Sequence, residues 1–356
     1  MSENMNDRGK YLRVLSFGAG ALGTYIAGSL AIKGHPVTFL ERPDVAEELR
    51  QRGLRLVING QDRLIPELRT AGNLTEALEQ GPFDLAIFAL KSFDTPGALL
   101  SLIPYANQLP PILNLQNGID NEQALAEALG YEKVIPGTVT SAIGRRAAGD
   151  IVLERLRGVG IAGGHPLSVQ LVNIFNIAGL NARLYHNAKD MKWSKLLTNL
   201  IANASSAILN MSPGEIFSNP DLFMLERAQL RECIAVMQAQ GIRTVNLPGT
   251  PVRLLAFAIW NLPPSLSRPL LARSVGRGRG AKMPSFHIDL YSGRQQSEVD
   301  YLNGAVVRAG QRTGIPTPAN RVLTDTLLGL TAGALKTGDF AHNPQHLLDL
   351  FKRASM

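Results

Sequence analysis

Leu12-Arg13-Val14-Leu15-Ser16-Phe17 runs directly into Gly18-Ala19-Gly20-Ala21-Leu22-Gly23, and Thr24 to Lys33 follows with helical spacing before Gly34. The first stretch has the composition of a buried strand. In the third, Ile26, Leu30 and neighbouring alanines share one side, as on a helix packed against a sheet. GxGxxG alone is weak, but between a strand and a helix it is the signature of a dinucleotide-binding βαβ unit. There Gly18 allows the tight turn, Gly20 lets the backbone approach a pyrophosphate, and Gly23 permits close helix–strand packing. The phosphates would sit on the helix N-terminus at Ala21 and Leu22, where free amides and the helix dipole favour negative charge.

Outward from that unit, Pro36–Leu40, Asp84–Leu90, Pro111–Leu115 and Val134–Val139 read as further strands, with helical stretches near 94–102 and 121–129. Strands alternating with helices predict a parallel sheet covered on both faces. Leu54–Asn59 and Arg63–Glu67 fit a hairpin around Gly60-Gln61-Asp62. Beyond about residue 188 the strand signal fades. Asp190–Leu209, Asp221–Gln238, Glu298–Arg312 and Asn320–Leu330 all have helical spacing. The expected organisation is an α/β chain. An N-terminal Rossmann-type dinucleotide-binding domain (1–188) precedes a mostly α-helical C-terminal domain (189–356), which carries a basic segment at 244–282.

At 356 residues the chain is long enough for two domains. One cysteine, Cys233, excludes an intramolecular disulfide framework, and its helical surroundings favour packing over nucleophilic work. The six histidines form no convincing metal site; His342 and His346 are separated by Pro344 and lack a third ligand. No apolar run nears the roughly 18 residues of a membrane span, so no stable membrane insertion is expected. The polar opening Met1–Arg8 does not resemble a secretory signal. The expectation is a soluble, cytoplasmic protein. Net charge is +7, and it is local. Cys233 to Ile288 contains no acid but holds Arg243, Arg253, Arg268, Arg273, Arg277, Arg279 and Lys282; the other 29 basic residues face 29 acidic ones. With almost no interleaved aromatics, that run is a poor nucleic-acid surface. It reads instead as a flap over a site, an oligomer contact such as a homodimer, or a surface for an anionic partner.

The end of the second predicted strand selects the cofactor. An acid there holds the ribose hydroxyl of NAD and an arginine takes the 2′-phosphate of NADP. Glu41 and Arg42 offer both, and the guanidinium's match to phosphate favours NADP(H) through Arg42, with Glu41 turned aside. The plainer reading of Arg42 is a solvated surface arginine. Lys91 and Asn117 follow predicted strands at their carboxyl ends, where such sheets bind ligands. Alone, they read equally as a helix-start lysine and an Asn-Gly turn. Lys195, Asn199 and Asn203 recur at steps of four, giving one polar stripe on a helix whose other faces carry Leu196, Leu197, Leu200 and Ile201. Polar groups on a buried helix need partners, since each one left unmet costs about 1–3 kcal/mol; a solvated edge is the alternative.

Taken together these residues resemble the ketopantoate reductases (2-dehydropantoate 2-reductases) over about residues 12 to 330. The resemblance rests on the glycine turn, Arg42, Lys91, Gln116-Asn117-Gly118 and the Lys195/Asn199/Asn203 stripe. It extends to Pro284-Ser285-Phe286 with Asp289, Gly293-Arg294 and Ser297-Glu298 through Gly304. It implies NADPH-dependent reduction of 2-dehydropantoate, a small 2-oxoacid, to pantoate for pantothenate and coenzyme A synthesis. Lys195 is then the proton donor and Glu298 its acidic partner. Ser285, Asn199 and Asn203 hold the substrate, and Asn117 sits between nicotinamide and substrate. Two features depart from the pattern: the Gln295-Gln296 link, and an acid-free segment longer than the family's compact helical connection. The second keeps open a reductase of a different or bulkier ketone; from another class, a non-catalytic NADP(H)-binding redox sensor is the further alternative. Lys195, Glu298 and both asparagines would be superfluous in a sensor.

Overall fold

The computed structural model describes residues 11–279 and 283–356. The opening Met1–Arg8 and the Gly280–Lys282 end of the basic segment therefore lie outside the described residues. The chain divides into two units. The first comprises residues up to Gln116, Asp120–Lys192 and Leu247–Thr250; the second comprises Asn117–Ile119, Trp193–Asn246 and Pro251–Met356.

The first unit is built on strands β1 (Val14–Phe17), β2 (Val37–Leu40), β3 (Leu54–Ile58), β4 (Gln61–Ile65), β5 (Arg69–Ala71), β6 (Leu85–Phe88), β7 (Ile112–Asn114), β8 (Val134–Val139), β9 (Ala142–Ala147), β10 (Asp150–Arg155), β11 (Val159–Ala162) and β12 (Ala182–Tyr185). Eight form one sheet in the order β12-β11-β8-β7-β6-β1-β2-β5. Its pairings are parallel except β8 with β11. β1 is buried throughout, as its unbroken apolar run requires in a sheet covered on both faces. The strand order reverses at β1. The chain steps outward to β2 and then β5, and only then crosses to β6 on the other side of β1, which makes a topological switch point. Phe17 is in register with both Leu40 and Phe88, so the turns after β1, β2 and β6 leave the sheet at one level. That level is where the chemistry-bearing residues of this unit stand.

The predicted hairpin exists, but its turn is tighter than the sequence reading. Gln61 already pairs with Ile58, and the turn is Asn59-Gly60, at φ 52° and 75°. Asn-Gly supplies the two left-handed residues such a two-residue turn needs. β3 also pairs with β10, completing a second sheet in the order β4-β3-β10-β9. It approaches helix Ala21–Ile32 at Gly28, where a Cβ would come within 2.8 Å of Leu56.

The second unit is helical among its described residues, including Asn203–Leu209, Pro220–Ala239, Ser285–Tyr291, Ala305–Thr313 and Pro318–Thr331. A buried polar chain ties several of them together. Gln229 donates to Leu200 O, Asn303 donates to Gln229 Oε1 and to Asn320 Oδ1, and Asn320 donates to Glu232. Burial raises the Glu232 pKa above its ordinary value despite the amides of Ala319 and Asn320 that bond it. Cys233 beside it is fully buried, which pushes its thiol pKa up and suits a packing role.

Two expectations change here. Asp190–Leu209 is not one helix. Helix Ala188–Leu200 ends, Ala202 takes a left-handed φ of 48°, and Asn203–Leu209 begins anew. The break is held by buried Glu226, which accepts from Ala202 N at 2.8 Å and Ser205 Oγ at 2.6 Å. Lys195 and Asn199 keep helical register, while Asn203 starts the next helix. The 247–282 stretch, read as partly irregular from its Pro, Gly and Arg content, contains helices Val252–Asn261 and Pro264–Arg279. Val252, Ala256 and Ile259 bury one stripe of the first helix, and Pro264 occupies a first-turn position where its missing N–H does no harm.

Candidate active site

The glycine turn is formed as its pattern demands. Gly18 has φ +90° and donates to Leu40 O at 2.9 Å. A Cβ at Gly23 would lie 2.3 Å from Gly18 O, so only glycine lets the helix start this close to the turn. At Gly20 a Cβ would meet nothing within 4 Å. Helix Ala21–Ile32 starts there with no side-chain cap and no acid in its first turn. Open space beside Gly20 and uncapped amides at Ala21 and Leu22 fit a dinucleotide pyrophosphate.

Glu41 and Arg42 separate in role. Glu41 Oε1 accepts the Ala19 amide at 2.6 Å, which turns its carboxyl group back onto the glycine turn. Arg42 has a side chain 76% exposed, and its contact with exposed Asp44 is long, at 3.7 Å. A pair so open to solvent is worth at most about 1 kcal/mol and yields readily to a better anion.

The turns after β6 and β7 are joined through one residue. Gln116 is 2% exposed, and its Nε2 donates to Leu90 O at 3.1 Å, Lys91 O at 3.3 Å and Thr95 Oγ1 at 2.9 Å. Lys91 itself is half-buried at the start of a short turn, Ser92–Asp94. Asn117 follows Gln116, and Gly118 at φ +88° completes the turn.

In the second unit, Asn199 Nδ2 donates to Asn117 Oδ1 at 3.0 Å. Lys195 stands one helical turn before Asn199, half-buried, on a stretch whose Leu196, Leu197 and Leu200 are buried. Asn203, 4% exposed, accepts the Phe286 amide at 3.2 Å and so ties down the start of helix Ser285–Tyr291, where Ser285 is exposed. Glu298 is 3% exposed and precedes a π-helical turn, Asp300–Gly304, to which its carbonyl gives an acceptor. π-turns are uncommon and occur often at functional sites.

Sequence reasoning missed Lys192. It is buried, with its Nζ 2.6 Å from Glu122 Oε1 and 2.7 Å from Gln116 O. Its partners lie some seventy residues away in the chain, so periodicity gives no hint of them. Lys192 is one of three lysines on helix Ala188–Leu200, and nothing in the sequence singles it out from Lys189 or Lys195 as the buried one. Among the described residues, no group of three or more His, Cys, Asp or Glu is placed to hold a metal ion.

Residues 14–162 match the family described as Ketopantoate reductase PanE/ApbA, and residues 187–331 match its C-terminal part. The chain belongs to the ketopantoate reductase family. It is accordingly an oxidoreductase acting on CH–OH groups. A relative from Pyrococcus horikoshii named 2-dehydropantoate 2-reductase is 26% identical over 317 residues, covering 88% of this chain and 95% of its own. A PanE/ApbA family ketopantoate reductase structure from Ralstonia eutropha is 28% identical with a TM-score of 0.76, covering 90% of this chain and 99% of that one. A D-mandelate dehydrogenase, solved with NADH and anilino(oxo)acetate, is 20% identical at a TM-score of 0.74 and covers 90% and 99%. That last similarity is one of fold. No described helix is long and apolar enough to cross a membrane.

Proposed function

We propose that this protein reduces 2-dehydropantoate to pantoate with NADPH, in the cytoplasm, with Lys195 supplying the proton. The observation that carries the reading is the Asn117–Asn199 hydrogen bond. It ties the turn after β7, one residue beyond the glutamine that also braces Lys91, to the helix bearing Lys195. Family membership and the named relatives support the reaction class.

When bound, the reduced nicotinamide supplies a hydride to the ketone carbon. Gly18, Gly20, Gly23 and the amides of Ala21 and Leu22 would hold the pyrophosphate. Arg42 would pair with the 2′-phosphate, a charge-assisted contact that Glu41 does not oppose while its carboxyl group is turned onto Ala19. Lys91 and Asn117 would hold the nicotinamide end. The first unit thus serves as the dinucleotide domain and the second as the substrate domain.

Reduction of a ketone places negative charge on its oxygen. Lys195 Nζ is the group assigned to donate a proton to that oxygen, a contribution of typically about 10²–10⁴-fold. Glu298, buried, would hold the ammonium and accept the substrate hydroxyl. Asn199, Asn203 and Ser285 would hydrogen-bond the carboxylate and hydroxyl of the 2-oxoacid. Both Asn203 and the peptide beside Ser285 are already fixed by their mutual bond, so this part of the site needs little ordering on binding.

The test follows NADPH absorbance with 2-dehydropantoate, with aliphatic and aryl 2-oxoacids, and then with NADH. Turnover of 2-dehydropantoate with NADPH at the highest kcat/KM is expected. A preference for an aryl 2-oxoacid would move the substrate assignment, and NADPH binding without consumption of any ketone would replace the reductase with a sensor.

A further inference from the structure

We propose that the buried Lys192–Glu122 ion pair is a positioning device that fixes the Gln116–Asn117 peptide, and through it the Asn117 amide, for reaction. The inference rests on the reductase reading for its kinetic consequence, but the hydrogen bonds that carry it, among Lys192, Glu122, Asn114 and Gln116, all lie within the first unit.

The lysine side chain is 6% exposed and that of Glu122 is 14% exposed. An ammonium buried this deeply is a poor source of stability, because desolvation offsets much of the attraction, and an apolar replacement of similar volume is often as stable. Its use lies in direction. Nζ has three N–H donors and no acceptor. All three have partners: Glu122 Oε1 at 2.6 Å, Gln116 O at 2.7 Å and Gly137 O, on β8, at 3.3 Å.

The bond to Gln116 O is the informative one. That carbonyl and the Asn117 N–H belong to one planar peptide group, so fixing the oxygen fixes the plane from which Asn117 departs. The same peptide is braced from behind. Glu122 Oε1 also accepts Asn114 Nδ2 at 2.9 Å, and Asn114 Oδ1 accepts the Gln116 amide at 3.2 Å. The bonds close a ring: Lys192 to Glu122, Glu122 to Asn114, Asn114 to Gln116 N, and Gln116 O back to Lys192. From within that ring the Gln116 side chain reaches Leu90 O, Lys91 O and Thr95 Oγ1. One glutamine therefore sets the turn that carries Lys91 and the turn that carries Asn117. Lys192 and Glu122 hold that glutamine. Lys192 touches neither proposed ligand, so it is a positioning residue and not a catalytic one.

The test is a double-mutant cycle of Lys192→Met with Asn117→Ala. It is read as kcat and KM on the full-length protein, alongside amide hydrogen exchange over residues 114–118. Lys192→Met is expected to lower kcat by about 10- to 100-fold, the scale of a displaced reacting group, with a smaller change in KM for NADPH. Combined with Asn117→Ala it should cost no more than Asn117→Ala alone, since the lysine acts through that residue. Exchange at 114–118 should quicken while the amides of β1 stay protected. Multiplying losses, or wild-type kcat with unchanged exchange in Lys192→Met, would overturn the proposal. If Lys192→Met does not fold, Glu122→Gln carries the same cycle. If the wild type turns over no 2-oxoacid, the reductase reading fails separately, and the exchange result still decides whether Lys192 fixes this turn.

Discussion

Asn199 Nδ2 donates to Asn117 Oδ1 at 3.0 Å, joining residues 82 apart in sequence. One comes from the turn after a sheet strand and the other from the helix that carries Lys195. The bond uses the acceptor of Asn117 and leaves its Nδ2 group oriented by the partnership. Asn199→Ala should therefore disorder Asn117 as well as remove the substrate contact proposed for Asn199. Loss of one neutral hydrogen bond is worth about 1 kcal/mol, or some fivefold. A drop in kcat/KM beyond that, shared by Asn117→Ala and not multiplied in the double variant, is the expected kinetic signature.

On the proposed reading, cofactor choice turns on Glu41 and Arg42. Glu41 is engaged by Ala19 N while the Arg42 side chain stands open. Arg42→Gln should weaken NADPH binding by about 10- to 100-fold, the range for a lost charge-assisted bond. NADH binding should stay within about twofold. Fluorescence titration with both nucleotides checks this; equal losses for the two would show that Arg42 does not read the 2′-phosphate.

The second and third glycines of the motif, Gly20 and Gly23, should fail differently. Gly23→Ala places a methyl 2.3 Å from Gly18 O and must displace the backbone, so a loss of stability of about 1–3 kcal/mol is expected. Gly20→Ala meets nothing in the protein and should melt like the wild type while losing dinucleotide affinity. Thermal melts with and without NADPH separate the two: a cofactor-induced rise in Tm should survive in neither variant, but only Gly23→Ala should melt early without cofactor.

Much of this architecture could be read from the chain because it depends on local patterns. β1, the glycine turn and helix Ala21–Ile32 are contiguous, and Val134–Val139 is a strand with the limits its composition sets. What escaped depends on distant partners. The break at Ala202 is stabilised by Glu226, which helical periodicity around 200 cannot register. Helix Pro264–Arg279 contains Pro269, a residue that argues locally against the helix it sits in. The pairing of β3 with β10 joins segments almost a hundred residues apart. Of the proposed site residues, Lys91, Asn117, Lys195 and Asn199 were singled out by their places after strands or on a helix face. Lys192 was passed over, and Gln116 was noted only as part of its turn, because their hydrogen bonds form only once β7, β8 and the helix are assembled.

Histidine titration gives a pH signature. His35 is buried, which holds its imidazole pKa below the ordinary value, and its Nδ1 accepts the Leu12 amide at 3.0 Å, which a protonated ring cannot do. Burial lowers His165 and His287 in the same direction. A depressed folded-state pKa means the unfolded chain binds more protons as pH falls below about 6.5. The stability these groups confer is thus complete above that pH and declines as pH falls through the folded-state values. Tm should drop between pH 7 and pH 5, and His35→Gln should flatten part of that slope; an unchanged slope would remove His35 from the account.

The proposed reaction depends on Lys195 as the proton donor. Its most direct test is the rate of NADPH oxidation by 2-dehydropantoate in Lys195→Ala, with NADPH binding followed in the same samples by fluorescence. Binding within a few-fold of wild type and a rate lower by about 10²-fold or more are predicted, in line with the loss of a general acid. Turnover at the wild-type rate would contradict it.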